Sequence, residues 1–327
     1  SSSSTRRSPR SPKRTWPRPT VMTIYAADSS GLIFRAKVLE AGLTDDDLRR
    51  SLRQGEIVRV TRGVFAVAAK RNPEEVHRLR ALAAAKDNPQ RPLTHQSAAV
   101  ILGLPMLRPN LRRVHTTART GKGFRTTTHH CHVAQYDDED IVTVDGVRVT
   151  GIERTAVEVA CTAKDFAAAL TIFDSALRAK ADREVMARML TDRRRGTAQA
   201  RRALHHADGA AENPGESWSR AQLIEAGLPP ARLQYKFFDA DGNEVARTDF
   251  DWDGKLVGEF DGKVKYKKLL RPGEDPAEVV IREKAREDAL RRMGIMVIRW
   301  VWRDLEQRKL VAMVREWLVS LHLMPAA

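Results

Sequence analysis

The residues of this 327-residue chain best placed for chemistry are carboxylates on two short alternating stretches, residues 245–252 and 256–260. Both stretches read as strands. Between them, Asp251-Trp252-Asp253-Gly254 reads as a type I turn with Gly254 in the bulge position, a three-residue loop that pairs Asp251 with Lys255. In that register Arg247, Asp249 and Asp251 share a face with Val257, Glu259 and Asp261. Thr248, Phe250 and Trp252 share the other with Leu256, Gly258 and Phe260. A two-residue loop would shift the register by one and set carboxylates among aromatic rings, where unpaired charge is costly. The three-residue loop therefore predicts one acidic and one apolar face, with Asp249 and Glu259 near-diagonal on neighbouring strands. Carboxylates gathered there repel unless protonated or bridged by a divalent cation, and hard oxygen donors select Mg²⁺ or Mn²⁺. An ion held by Asp249, Glu259 and Asp261 would activate a water and neutralise a phosphodiester, with Lys263 or Lys265 supplying an ammonium of the same parity. The bland alternative makes Asp251, Asp253 and Asp261 turn residues and leaves the other acids solvated.

The elements that must hold this face follow from periodicity. A helix at 216–226, ending at Gly227, carries Glu216; strands are predicted at 233–238, 245–252, 256–260 and 295–302, and helices at 277–293 and 310–321. Helix, three antiparallel strands, helix, strand and helix make an α/β sandwich. Residues 207–214, rich in Ala, Gly, Asp and Asn, mark a boundary before it. Charge changes there too. The chain has 57 Lys and Arg against 42 Asp and Glu, a net +15, yet residues 209–327 balance 20 basic against 20 acidic side chains. The whole excess lies in residues 1–208, which makes a polyanionic partner the first expectation for that part.

Residues 28–73 have the rhythm of a winged helix-turn-helix. Ile33, Ala36, Val38 and Leu39 form a short apolar face, Gly42 ends it, and Thr44 caps a second helix with Asp45, Asp46 and Asp47 in its first turn. Leu48 and Leu52 face inward and Arg49, Arg50 and Arg53 outward. Residues 56–60 and 64–67 alternate around Thr61-Arg62-Gly63, placing Arg59 and Arg62 on a hairpin. A basic helix followed by a basic hairpin predicts insertion of that helix into a DNA major groove; the competing reading is a packing module with solvated arginines. A mixed α/β middle domain is expected over 74–208. There His129, His130, Cys131 and His132 invite a metal, but strand neighbours point to opposite faces, so at most two share one ion, and a structural role is favoured over zinc. Residues 1–27 form a basic, Ser- and Pro-rich tail expected to be disordered. Two cysteines exclude a disulfide framework and fit a cytoplasmic protein, and no run of about 18 apolar residues predicts a membrane span.

These residues carry a resemblance. Asp249-x9-Glu259-x-Asp261-Gly262, with Glu216 ahead of it and Glu283-Lys284-x-Arg286-x-Asp288 and Val297-Ile298-Arg299-Trp300 behind, resembles the very-short-patch-repair-like branch of the PD-(D/E)XK endonuclease superfamily. Gly31-Leu32-Ile33, Leu48-Arg49, Arg62-Gly63-Val64-Phe65 and Arg154-Thr155-Ala156-Val157-Glu158 resemble the AbiEi type IV antitoxin family. The resemblance implies an operator-binding front (Arg49, Arg50, Arg53, Arg59, Arg62) and a restriction-endonuclease-like rear domain over 209–327. In it Asp249 and Glu259 would be metal ligands and Glu216 a supporting acid. Asp261 stands where the superfamily usually has Lys, so Lys263, Lys265 or Lys284 would have to substitute. The alternative is a non-enzymatic antitoxin and autorepressor that counters a nucleotidyltransferase toxin. A homodimer would suit an operator with two half-sites.

Overall fold

The computed structural model describes residues 25–191, 195–262 and 276–325. The expected tail up to residue 24, and Lys263 and Lys265, lie outside the described residues. The architecture is mixed α and β with several small sheets. Two compact units divide at Lys70 and Arg71, close to the boundary predicted at residue 73.

In the first unit, β1 (Ile33–Phe34) leads into α1 (Arg35–Glu40) and α2 (Asp45–Gln54), followed by β2 (Ile57–Thr61) and β3 (Val64–Val67). The strands form an antiparallel sheet in the order β1-β3-β2. Helix α2 starts where the sequence says it should. The Thr44 side chain accepts the Asp47 amide and the Asp47 carboxylate accepts the Thr44 amide, a reciprocal cap, and Gly55 stops the helix at φ 71°. Ile33, Val38, Leu48, Ile57 and Phe65 form a core completed by Tyr25, whose hydroxyl donates to Ser51 at 3.0 Å. Tyr25 belongs to the folded unit, which corrects the tail predicted to reach residue 27. A unit this small needs each such ring, at roughly 1.5–3 kcal/mol per buried large apolar side chain.

The second unit begins with α3 (Pro73–Asp87) and α4 (His95–Ile101) and continues through β4 (Val114–Ala118), β5 (Phe124–Arg125) and β6 (His129–Val133). Strand β6 pairs parallel to β4 and antiparallel to β5. The hairpin β7 (Ile141–Val144) and β8 (Val147–Thr150) turns at Asp145 and Gly146, both at positive φ. Four helices follow: α5 (Ile152–Cys161), α6 (Phe166–Arg178), α7 (Arg183–Met189) and α8 (Thr197–His206). Helix α4 is short. Leu93 is drawn into bridges with Thr116 and Val149, and Gly103 ends the turn after α4 at φ 69°.

The rear part runs α9 (Pro214–Glu225), β9 (Arg232–Phe238), β10 (Glu244–Trp252), β11 (Leu256–Asp261), α10 (Pro276–Arg292), β12 (Met296–Val301), α11 (Trp302–Glu306) and α12 (Leu310–Ser320). Its sheet has the order β12-β11-β10-β9, antiparallel except for the parallel pair β11 and β12. Phe250, Trp252, Leu256, Phe260 and Trp300 pack with Leu223 of α9, Leu305 of α11 and Leu310, Val314 and Leu318 of α12. Val257 packs instead with Phe237, Ala246, Leu290 of α10 and Ile295. Gly258 lets the two layers close, because a Cβ there would lie 2.4 Å from the Trp300 ring. The boundary predicted at 208 runs through continuous packing. Asp174 of α6 pairs with Arg220 of α9 at 2.6 Å, and Ala221 shares a core with α5, α6 and α8.

Candidate functional site

The hairpin that carries the carboxylates differs from the expected one in detail and keeps its parity. Asp253 and Gly254 both adopt positive φ, 55° and 65°, which is the mirror-image turn and not type I. Trp252 pairs with Leu256 and Asp251 with Val257, so Asp251 does not pair with Lys255. Both registers keep odd residues with odd, and the observed one, continued one position past its last pair, Phe250 with Gly258, sets Asp249 directly across from Glu259. The regular ladder stops first. The Phe260 amide donates to the Asp249 carboxylate at 2.9 Å.

The predicted acidic face is not a bare one. Asp251 is fully buried, ion-paired with Arg232 and accepting the Gly254 amide at 3.0 Å. Glu259 is held by two guanidiniums, Arg286 at 2.7 Å and Arg299 at 3.0 Å, and Arg299 also reaches Glu287. Isolated carboxylates on this face would repel; ion pairing with α10 and β12 removes that cost.

Glu216 does join the site. It is 2 % exposed in the first turn of α9 and accepts the Glu212 amide at 2.7 Å and the Asn213 side-chain amide. Gln234 links it to the strand acid, its amide donating to Glu216 at 3.2 Å and to Asp249 at 3.4 Å. Gln234 reaches both from a left-handed backbone, φ 51°, a strained conformation for a non-glycine residue inside a strand. Asp261 is half-buried at the end of β11, opposite Val301. Lys284 is exposed on α10. The structure thus gathers Glu216, Gln234 and Asp249, and commits Glu259 to arginines. The carboxylates implied as Mg²⁺ or Mn²⁺ ligands are engaged in this arrangement, Asp249 by Gln234 and Glu259 by two arginines. No three of these carboxylates bring ligand atoms within 4.8 Å of one another among the described residues.

On the first unit all five predicted arginines are exposed. Arg49 pairs with Asp46, and Arg50 with Asp47 at 3.3 Å, one turn back on α2. The Thr44 hydroxyl and amide hold the Asp47 carboxyl below its ordinary range. Arg53 closes the helix in its last turn. On the hairpin, Arg59 lies over the Phe65 ring at 5.6 Å and Arg62 sits at the turn.

A third group lies outside the predicted sites. His130 and His132 share one face of β6, as strand parity requires, while His129 points away and bonds the Thr116 hydroxyl at 2.8 Å. The partners that complete the group come from elsewhere, His115 on β4 and His95 at the start of α4. One ligand atom from each of His95, His115 and His132 lies within 4.8 Å of the others. The sequence signal was the spacing His130-x-His132; nothing local pointed to His95.

No family model matches the chain. Two proteins of Mycobacterium tuberculosis, from strains CDC 1551 and H37Rv, are each 34 % identical to it over 168 residues. That stretch is 50 % of this chain and 58 % of either relative, and both carry the name "uncharacterized protein". The chain therefore spans little more than half the length of the curated relatives it matches.

Proposed function

We propose that this chain is a DNA-binding regulator of the AbiEi antitoxin type, reading DNA with α2 and steadying it with the β2–β3 hairpin. One observation carries the reading: Arg49, Arg50, Arg53, Arg59 and Arg62 all stand exposed on a single helix and the hairpin that follows it. The element order and the strand order β1-β3-β2 fit a winged helix. On this reading the rear sheet is a scaffold or partner surface, and a nucleotidyltransferase toxin is the partner the resemblance suggests. The ion pairs that occupy Glu259 support that assignment. A duplex-binding titration over a range of salt tests the DNA reading. Binding with no salt dependence would end it.

The second reading keeps the rear domain as a metal-dependent endonuclease. It is favoured by the order α9-β9-β10-β11-α10-β12, which fits the sandwich the resemblance implies, and by the convergence of Glu216, Gln234 and Asp249. Labelled DNA and RNA incubated with Mg²⁺ or Mn²⁺, beside Asp249→Ala and Glu259→Ala, decide between the two. Cleavage that both substitutions abolish establishes the nuclease, and no cleavage leaves the regulator.

A further inference from the structure

We propose that His95, His115 and His132 form a binding site for a zinc-class transition-metal ion that pins α4 to the sheet of β4 and β6. Three separate elements deliver the three imidazoles, and the two nearest nitrogens, His115 Nδ1 and His132 Nε2, are 2.9 Å apart. Tetrahedral zinc with bonds of about 2.0–2.1 Å separates its ligand nitrogens by roughly 3.3 Å. The three ligand atoms lie within 4.8 Å of one another, and the 2.9 Å contact has to open by about 0.4 Å, with the rings turning, to admit an ion.

Each neutral imidazole can offer a ring-nitrogen lone pair to a metal ion. Neutral nitrogen donors suit Zn²⁺, Co²⁺ and Ni²⁺ and not Mg²⁺ or Ca²⁺. Behind His95 stands Glu158, linked to it through the Thr94 hydroxyl, which lies 3.2 Å from His95 Nδ1 and donates to the carboxylate that Arg154 holds at 2.9 Å. A carboxylate behind a ligating imidazole is the support metal sites commonly carry, fixing the ring and raising its basicity. His95 is moreover held at φ 49°, the left-handed region that a non-glycine residue occupies at a cost. Its ring stacks on that of His132, with centroids 4.0 Å apart. Water or His130, whose ring lies 3.8 Å from that of His132, would supply the fourth corner. The site is independent of the nucleic-acid reading.

The test uses the full chain without a histidine tag, stripped by chelator and titrated with Zn²⁺ against a chromophoric competitor. One equivalent per chain is expected, with a tetrahedral Co²⁺ spectrum on substitution. His115→Ala and His132→Ala should each abolish stoichiometric binding, Glu158→Gln should weaken it roughly 10- to 100-fold, and Asp249→Ala should leave it unchanged. X-ray absorption of the zinc-loaded wild type, which needs no variant to fold, should show three imidazoles around the ion. Absence of stoichiometric binding, binding that survives both histidine substitutions, binding lost on Asp249→Ala, or a shell with fewer than three imidazoles would each overturn the proposal.

Discussion

Replacing Arg59 and Arg62 together by Ala is expected to lower the salt dependence of DNA binding in a countable way. Each phosphate neutralised on duplex DNA contributes about 0.9 to the slope of log K against log salt, so the double variant should lose about 1.8. At about 0.1 M salt the same two contacts correspond to roughly 60-fold in affinity. The hairpin is the cleaner place to test because its charges are not matched by acids one turn away. Arg49 and Arg50, in contrast, hold Asp46 and Asp47 on the exposed face of α2. Exposed pairs of that kind are worth less than about 1 kcal/mol, so these arginines can exchange a carboxylate for a phosphate, but their acids stay near the DNA and offset part of the gain. Asp46→Asn with Asp47→Asn should therefore tighten binding. Fluorescence anisotropy of a labelled duplex across a salt series measures both effects. Arg59→Lys with Arg62→Lys keeps the charge and should restore the slope, which separates charge from any loss of Arg59 packing on Phe65. A slope unchanged in the double alanine variant would remove the hairpin from the interface.

Gly258→Ala should destabilise the second unit by about 1–3 kcal/mol, since its Cβ would meet the Trp300 ring in a closed core; a wild-type denaturation midpoint would contradict the packing. Arg220→Leu strands the fully buried Asp174, whose carboxyl burial pushes up, and should cost about 3–5 kcal/mol by urea denaturation. A loss below 1 kcal/mol would mean Asp174 is satisfied without it. Burial also pushes His77 below its ordinary 6.5, so the folded state keeps it neutral while the unfolded chain gains a proton as the pH falls. Stability present above pH 6.5 is then lost on acidification, by up to about 1.4 kcal/mol per pH unit for this residue. His77→Gln should flatten the decline between neutral and mildly acidic pH by that increment, and an equal slope in the variant would refute it.

The secondary structure of the rear sheet was legible because each strand is short, alternating and bounded by turn residues. Odd-with-odd parity across the hairpin survived an error in the turn itself, since both loops have three residues and the partner of Asp251 moves by two, from Lys255 to Val257. What local pattern cannot supply is the counter-charge. Glu259 reads as a ligand in a carboxylate motif, yet its partners lie on α10 and 40 residues away on β12. Gln234 carries no motif; only its left-handed backbone distinguishes it. The histidine trio was missed for the same reason, its members spread over residues 95 to 132. Tyr25 was assigned to the tail because composition averages over a window, and one buried ring does not change an average.

The bond from the Phe260 amide to Asp249 gives the rear sheet its own reporter. Where an ordinary ladder would tie two strand backbones together, here one amide proton rests on a titratable, ligand-competent side chain. Anything that draws Asp249 away, whether an ion, a phosphate or a partner's guanidinium, must release that proton to water. Hydrogen exchange at this single position therefore reads occupancy of the carboxylate without any assay of turnover, and distinguishes a working centre from a scaffold that only inherited its shape.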